Sequence, residues 1–397
     1  MIEQSLTLPC GHALSNRICK AAMTEGLASP VGHATEAHRR LYASWAGGGA
    51  AMHLSGNIMI DRRYLERAGN VVVEDDSGIR ELEAWADTVH AHGSQLWAQI
   101  SHPGRQCPRL VTLTPLAPSE VQLSVAGNFG KPRAMTEVDI EDTIARFART
   151  AAVLKAASFD GVQIHSAHGY LLSQFLSPRT NRRGDRWGGL LENRARLLLE
   201  VVRAVRAAVG AACPVSVKLN SSDFVKGGFT LDECLQVIGW LGPAGIDLLE
   251  ISGGTYEQIE FFKAHDPAEI RDSTREREAT FLKYAKSIKA VASMPVMITG
   301  GFRTLAGMEA ALRDGQTDLI GVARPFCLDP GFPARMLGGS LSALPVPEDR
   351  LALGRGWRGP NSASQTMRAF NNQAHAGWYY HQIERLGAGL TPQPELS

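Results

Sequence analysis

PVMITGGFRTLAGMEAALRDGQTDLIGVAR, residues 295–324, holds two short β-rich runs, PVMITGG (295–301) and DLIGVAR (318–324), with helical sequence between them. Two strands joined by a crossover helix form a parallel βαβ unit. The same alternation recurs upstream. RICKAAM (17–23), AAMHLSGNIM (50–59), QLWAQIS (95–101), GVQIHSA (161–167), PVSVKLN (214–220) and IDLLEIS (246–252) read as strands, each followed by a helical pattern. Among the helices, DDSGIRELEAWADTVHAHG opens acidic and closes at Gly93, and LLENRARLLLEVVRAVRAAVG keeps its apolar residues at helical spacing until Gly210. Eight strand–helix units predict an α/β fold, the (β/α)8 TIM barrel.

The segments outside this alternation add three features. SLTLPCGHALSN (5–16) reads as an N-terminal hairpin that caps the bottom of the barrel. Residues 103–135, rich in proline and glycine, read as a long loop after the third strand, where a barrel carries its catalytic loops. The tail holds one helix over 363–386 and a disordered-looking end. The chain is thus expected to be one barrel over residues 1–340 and a C-terminal, partly helical extension over 341–397, with no second domain.

Of the 397 residues 41 are basic and 40 acidic, a formal net charge of +1, which argues against nucleic acid or an anionic membrane as partner and for a small molecule. No stretch approaches the roughly 18 consecutive apolar residues of a membrane span, and the N-terminus carries an acid and no long apolar run. A soluble, cytoplasmic protein is expected. Cys10, Cys19, Cys107, Cys213, Cys234 and Cys327 lie far apart, without a C-x-x-C pair or zinc spacing, so they read as reduced packing residues and no metal site is expected.

Strand alternation sorts the polar residues, because positions two apart share a face. It turns Trp97, Gln99 and Ser101, then Gln163 and His165, then Ser216, Lys218 and Asn220 toward the barrel axis. A lysine inside a barrel needs an anion or a ring of acceptors. Two readings stand for Lys218: an ion pair with Glu250, or the electron-rich edge of a planar cofactor. Gly300 and Gly301 end the seventh strand and Arg324 ends the eighth, where this fold places phosphate; the plainer reading is a turn and a surface ion pair. No G-x-G-x-x-G follows a strand. A phosphate site, an inward amide and an inward cation suit FMN, with Gln99 at the pyrimidine edge of the flavin and Lys218 near its N1 and O2. His165, His168 and Tyr170, packed into six positions at a strand end, are either satisfied structural residues or a polar site at the mouth of the barrel.

Several blocks carry a closer resemblance: NRICKAAMTEG (16–26), AQISHPGRQ (98–106), IHSAHGYLLSQFLSPRTNRRGDRWGGLLENRAR (164–196), VKLNSSDF (217–224), ITGG (298–301) and GVARPF (321–326). Over residues 1 to about 335 the chain resembles the Old Yellow Enzyme family of FMN-dependent ene-reductases. The 164–196 block is the most specific, whereas GG and GVAR occur in many phosphate-binding barrels.

The resemblance implies that His165 and His168 bind the carbonyl oxygen of the substrate and that Tyr170 donates a proton. It places Gln99 and Lys218 on the flavin ring and Thr24 near its O4 edge. Met23 lies in a matching stretch beside the flavin, and Gly300, Gly301, Ala323 and Arg324 fall at the phosphate. Ala22 and His102 are expected in packing or minor contacts. Many relatives have arginine at the Lys218 position and some have cysteine at the Thr24 position. Larger members add an iron–sulfur cluster and an NAD(P)-binding module, which this chain lacks, so NADPH or NADH is expected to act as a transient reductant bound over the flavin.

The implied reaction is reduction of the C=C bond of an α,β-unsaturated carbonyl compound, with hydride to the β-carbon and the Tyr170 proton to the α-carbon. A flavin-dependent dehydrogenase or amine N-demethylase of the same fold remains open at this point, as does a flavin electron-transfer protein. Trp378, Tyr379 and Tyr380 on the tail helix read as a packing face, with a lid or a contact to a second copy in a homo-oligomer as the alternative.

Overall fold

The computed structural model describes residues 1–397 except 124–126, 224, 253–283, 346, 348–350, 352, 355, 360, 361 and 395–397, and the side chains of 365, 366, 368, 369, 372 and 373. Phe224 of the VKLNSSDF block and part of the disordered-looking end therefore lie outside the described residues. Among the described residues eight parallel strands close a barrel. They are β1 (Ile18–Lys20), β2 (Met52–Met59), β3 (Gln95–Ser101), β4 (Gly161–Ser166), β5 (Val215–Asn220), β6 (Leu248–Ser252), β7 (Val296–Thr299) and β8 (Leu319–Val322), each inside the run read from sequence. Every strand pairs with its neighbours in sequence order and β8 closes on β1.

The outward face of the strands forms one large core with the surrounding helices. Leu96, Ala98 and Ile100 of β3, Val162 and Ile164 of β4, and Val215, Val217 and Leu219 of β5 all join it, as alternation predicts. Against them pack α1 (Glu36–Ala46), α2 (Ile79–His90), α3 (Glu137–Ala156), α5 (Leu191–Val209) and α6 (Leu231–Ala244). Capping boxes at Thr136 with Asp139 and at Thr230 with Glu233 start α3 and α6 by satisfying free amides of the first turn. A short helix, α4 (Leu171–Leu176), follows β4 directly and is wholly buried.

A separate apolar layer fills the lower lumen. Met52, Leu54, Trp97, Leu248, Met297 and Leu319 point inward and meet Leu8 and Leu14 of the N-terminal hairpin, whose Leu6–Thr7 and Ala13–Leu14 segments pair antiparallel. Gln95 Nε2, at the start of β3, donates to Ala13 O at 2.8 Å, and the Arg17 guanidinium donates to the carbonyls of Gln4, Ser5 and Asp318. The hairpin therefore plugs the N-terminal end, leaving the other end for the site.

After β3 the chain runs through a 3-10 turn (Gly104–Gln106) and a pair of two-residue strands at Leu116–Ala117 and Arg133–Ala134, the long loop expected there. Beyond β8 come a 3-10 turn (Arg324–Cys327), α7 (Leu305–Arg313) having preceded it, then α8 (Phe332–Leu337) and α9 (Gln365–Gly387). Helix α9, read from sequence as 363–386, returns to the barrel: Arg40 Nε of α1 donates to Gly387 O at 2.8 Å. Its aromatic cluster is a packing face on two arginines, with the Arg67 guanidinium 3.8 Å from the Tyr380 ring and that of Arg324 5.8 Å from the Tyr379 ring. Among the described residues no helix is long and apolar enough to cross a membrane.

Candidate active site

Above the apolar layer the lumen becomes polar. Gln99, Gln163, Lys218 and Glu250 come from β3, β4, β5 and β6, and all four are buried. Gln99 Nε2 donates to Gln163 Oε1 at 2.6 Å, and Gln163 Nε2 donates to Glu250 Oε2 at 2.7 Å. Lys218 Nζ lies 2.9 Å from Glu250 Oε1. Of the two readings of Lys218, the ion pair is the one this arrangement contains. The alternation that aimed Gln99 and Lys218 at one axis holds, and Gln163 and Glu250 link them.

One layer higher, at the C-terminal mouth, stand the two histidines and the tyrosine. His165 is the inward residue near the end of β4. Three residues on, His168 adopts a left-handed backbone (φ 58°), followed by Gly169 (φ 75°). That conformation is uncommon for a side-chain-bearing residue and needs external support. Asn220 Oδ1 accepts from the His168 amide at 3.1 Å, and Gln106 Nε2 donates to the His168 carbonyl at 2.8 Å. The reversed turn swings the His168 ring back onto His165, with Nε2 of His165 and Nδ1 of His168 3.1 Å apart. Tyr170 then caps α4, and its buried ring stands edge-on to that of His165 at 4.7 Å between centroids. The i, i+3, i+5 spacing thus places three polar side chains in one cluster.

The electrostatics of the pair follow from burial. Desolvation pushes His168 down to about 3, and the nearby Lys218 charge adds to it. His165 is held well below the ordinary histidine range by burial, then by His168 and Lys218. Both rings are neutral across the physiological range, so each offers one N–H and one lone pair.

Outside the cluster, Met23 and Thr24 lie in the loop after β1. A network behind the barrel fixes this loop: Lys20 Nζ donates to Leu54 O and Tyr42 Oη, while Tyr42 Oη and the Gly56 amide donate to Glu25 Oε1 at 2.5 and 2.7 Å. Burial lowers Lys20 to about 8. Gly56 permits the close approach, since a Cβ there would fall 2.3 Å from Glu25 Oε2 and 2.5 Å from Met23 O. Cys327 Sγ, 3.8 Å from Met23 Sδ, ties the loop to the turn after β8. Gly300 (φ 112°) and Gly301 (φ 79°) follow β7, and among the described residues no atom lies within 4 Å of the place a Cβ of Gly300 would take. Ala323 and Arg324 follow β8, with Arg324 exposed. His102 is a structural contact, accepting the Gly104 amide on Nδ1 at 3.0 Å and packing on Tyr64.

Three residues at the mouth escaped the sequence reading. Asn57 Oδ1 accepts from His165 Nδ1 at 2.8 Å, Glu66 Oε2 accepts from Asn57 Nδ2 at 2.5 Å and from Thr24 Oγ1 at 2.9 Å, and Ser252 Oγ lies 2.6 Å from His168 Nε2. Asn57 reaches the lumen through a bulge: β2 places four residues, Leu54 to Asn57, against three of β3, Trp97 to Gln99. The extra residue reverses the facing of the rest of the strand.

The chain matches the NADH:flavin oxidoreductase / NADH oxidase family over residues 9–340. It belongs to that family, the Old Yellow Enzyme family. The NADH-dependent flavin oxidoreductase iliE of Hypocrea jecorina is 34% identical, over 84% of this chain and 88% of that one. Among solved structures, 2-naphthoyl-CoA reductase superposes with a TM-score of 0.79 at 26% identity, over 85% of this chain and 52% of that one. The Old Yellow Enzyme homologue from Zymomonas mobilis gives 0.73 at 25% identity, covering 87% and 94%. This family member is an NAD(P)H-dependent flavin oxidoreductase with FMN as cofactor.

The mouth is built to receive such a group. Ser101 Oγ, Asn220 Nδ2 and Thr299 Oγ1, from the ends of β3, β5 and β7, are buried with no protein partner among the described residues. Buried polar atoms of this kind call for a ligand or water to satisfy them. Together with the lumen amides and the two positive-φ glycines after β7 they fit a flavin with its phosphate at β7 and β8.

Proposed function

We propose that this flavin oxidoreductase uses NAD(P)H to reduce the C=C bond of α,β-unsaturated carbonyl compounds. The observation that carries the proposal is the cluster of buried His165 and Tyr170 with half-buried His168 at the mouth, directly above the Gln99–Gln163–Glu250–Lys218 layer. When bound, FMN would supply the hydride chemistry at the substrate β-carbon, with NAD(P)H as its reductant. Gln99, Lys218, Met23 and Thr24 would hold its ring system, and Gly300, Gly301, Ala323 and Arg324 its phosphate. On this reading residues 1–340 would be the FMN-binding barrel and 341–397 its C-terminal extension.

The substrate oxygen sits between His165 and His168, replacing the 3.1 Å contact that joins the two rings. As charge gathers on that oxygen, a neutral, pre-oriented N–H stabilises it without reorganisation of water. The two rings satisfy one another across that contact, so substrate entry must part them. Tyr170 Oη, beside His165, delivers the proton to the α-carbon. The left-handed turn at His168 and Gly169 keeps the three groups in one place, consistent with backbone strain retained at a working site.

Anaerobic assay of the FMN-loaded protein tests the proposal. NADH or NADPH consumption is expected to rise severalfold or more on addition of 2-cyclohexenone. Flavin reduction by the nicotinamide with no stimulation by any enone would contradict it and leave a dehydrogenase or electron-transfer role.

A further inference from the structure

The proposed reaction leaves the aromatic cluster of the C-terminal helix without a role. Helix α9 is nevertheless held in one place. Tyr379, Ile383 and Leu386 are buried in the large core, Arg40 Nε donates to the Gly387 carbonyl, and Gln382 exchanges two hydrogen bonds with the Gln393 backbone, at 2.7 and 3.1 Å. Tyr380 adds a second fixed point, since the Arg67 guanidinium of the loop after β2 lies 3.8 Å from the centre of its ring. Tyr379 is therefore a firmly seated ring, and over it lies the guanidinium of Arg324, on the turn that follows β8.

A ring holds an arginine differently from a carboxylate. Arg194 and Arg206, which fasten parts of the barrel shell, are paired with the carboxylates of Glu233 and Asp247. A carboxylate takes up N–H groups of the arginine and cancels its charge. A ring face attracts the same cation through its quadrupole and leaves the charge in place, so a guanidinium held this way can still donate to an anion. An arginine also loses side-chain freedom when it grips a ligand, and a contact that orients it beforehand reduces that loss. Arg324 is exposed, and its strand β8 pairs with β7, which ends in the two positive-φ glycines Gly300 and Gly301.

We propose that Tyr379 is a positioning residue for the cofactor: its ring face holds the Arg324 guanidinium and presents it, still charged, to the FMN phosphate. The C-terminal helix is then part of the cofactor site and not only a cover on the barrel. The proposal rests on the reading above in taking Arg324 as a phosphate ligand, and it does not depend on what the reduced flavin goes on to reduce.

Riboflavin, which is FMN without the phosphate, isolates this contact. The full-length, FMN-loaded protein is equilibrated with increasing riboflavin, and chromatography of the flavins retained on the protein gives the ratio of FMN to riboflavin affinity. Arg324→Met should lower that ratio about tenfold or more, the loss of a charge-assisted contact. Tyr379→Phe keeps an electron-rich face and should leave the ratio near the parent value. Tyr379→pentafluorophenylalanine keeps a ring of similar size but reverses its quadrupole, and should lower the ratio about fivefold, within the range of one cation–π contact. In the Arg324→Met background the same replacement should change nothing further. A ring that mattered only for packing would weaken FMN and riboflavin together and leave the ratio alone.

A parent-like ratio in Tyr379→pentafluorophenylalanine, where Arg324→Met does lower it, would overturn the positioning role while keeping Arg324 at the phosphate. An equal loss in the Arg324→Met background would overturn it as well, since the ring would then act without the arginine. A ratio unchanged by Arg324→Met would take the phosphate away from Arg324 and remove the reading on which the proposal stands. Enone-stimulated consumption of the nicotinamide tests the reaction separately from all of these.

Discussion

Tyr170→Phe is expected to slow reoxidation of the reduced flavin by 2-cyclohexenone about 10²-fold or more, within the range of general-acid catalysis, while reduction of the flavin by NAD(P)H stays near the parent rate. The reason is positional. Tyr170 is buried at the start of α4 with its ring against His165, away from the Gln99 and Lys218 layer below. In the proposed reaction its hydroxyl serves the substrate carbon and not the flavin. Reoxidation by a quinone, which needs no proton on carbon, should be spared. Stopped-flow traces of the two half-reactions separate these effects, and a variant that reoxidises with the enone at the parent rate would remove Tyr170 from the acid role.

Lys218→Met is expected to act on stability and on the flavin together. The lysine and Glu250 form a buried pair at 2.9 Å, with 4% and 0% of their side chains exposed. Removing one partner leaves a buried carboxylate uncompensated, a change that costs about 3–5 kcal/mol. The same uncompensated charge disfavours the electron-rich reduced ring, so the flavin potential should fall. Lys218→Met with Glu250→Gln should recover much of the stability, because no lone charge is left in the lumen. Urea unfolding and a redox titration of both variants give the contrast. Parent-like stability in the single variant would mean that the pair does not organise the lumen, and an unchanged or higher potential would mean that its charge does not reach the ring.

The barrel was legible because its signal is local. Each strand run carries its own period of two, and in β3, β4 and β5 that period alone places Gln99, His165 and Lys218 on the axis. Lys218 kept two readings for a reason of the same kind. Alternation aims a side chain at the lumen, but the choice between Glu250 and a cofactor edge depends on the neighbouring strand, and the register of Glu250 opposite Lys218 is a tertiary fact.

Asn57 failed for the opposite reason. Counting by twos from Met52 and Leu54 turns Gly56 inward and Asn57 outward, and the bulge between Leu54 and Asn57 reverses this. Glu66 lies in an aperiodic loop, where no pattern announces a side chain that reaches back to the mouth. The mutual contact of the two histidines was equally hidden. Spacing put them together, yet the left-handed turn at His168 that faces one ring onto the other has no marker in sequence beyond the glycine that follows. Helix α9 was visible as a helix, but its aromatic contacts to Arg67 and Arg324 join residues far apart in the chain.

The most direct test of the whole account follows two hydrogen atoms. The FMN-loaded protein is given 2-cyclohexenone and nicotinamide deuterated at the transferred position, and in a second experiment unlabelled nicotinamide in D2O. The saturated ketone is expected to carry the nicotinamide deuterium at the β-carbon and the solvent deuterium at the α-carbon, and Tyr170→Phe should suppress its formation. Consumption of the nicotinamide with no saturated ketone, or ketone labelled at the opposite carbons, would contradict the account.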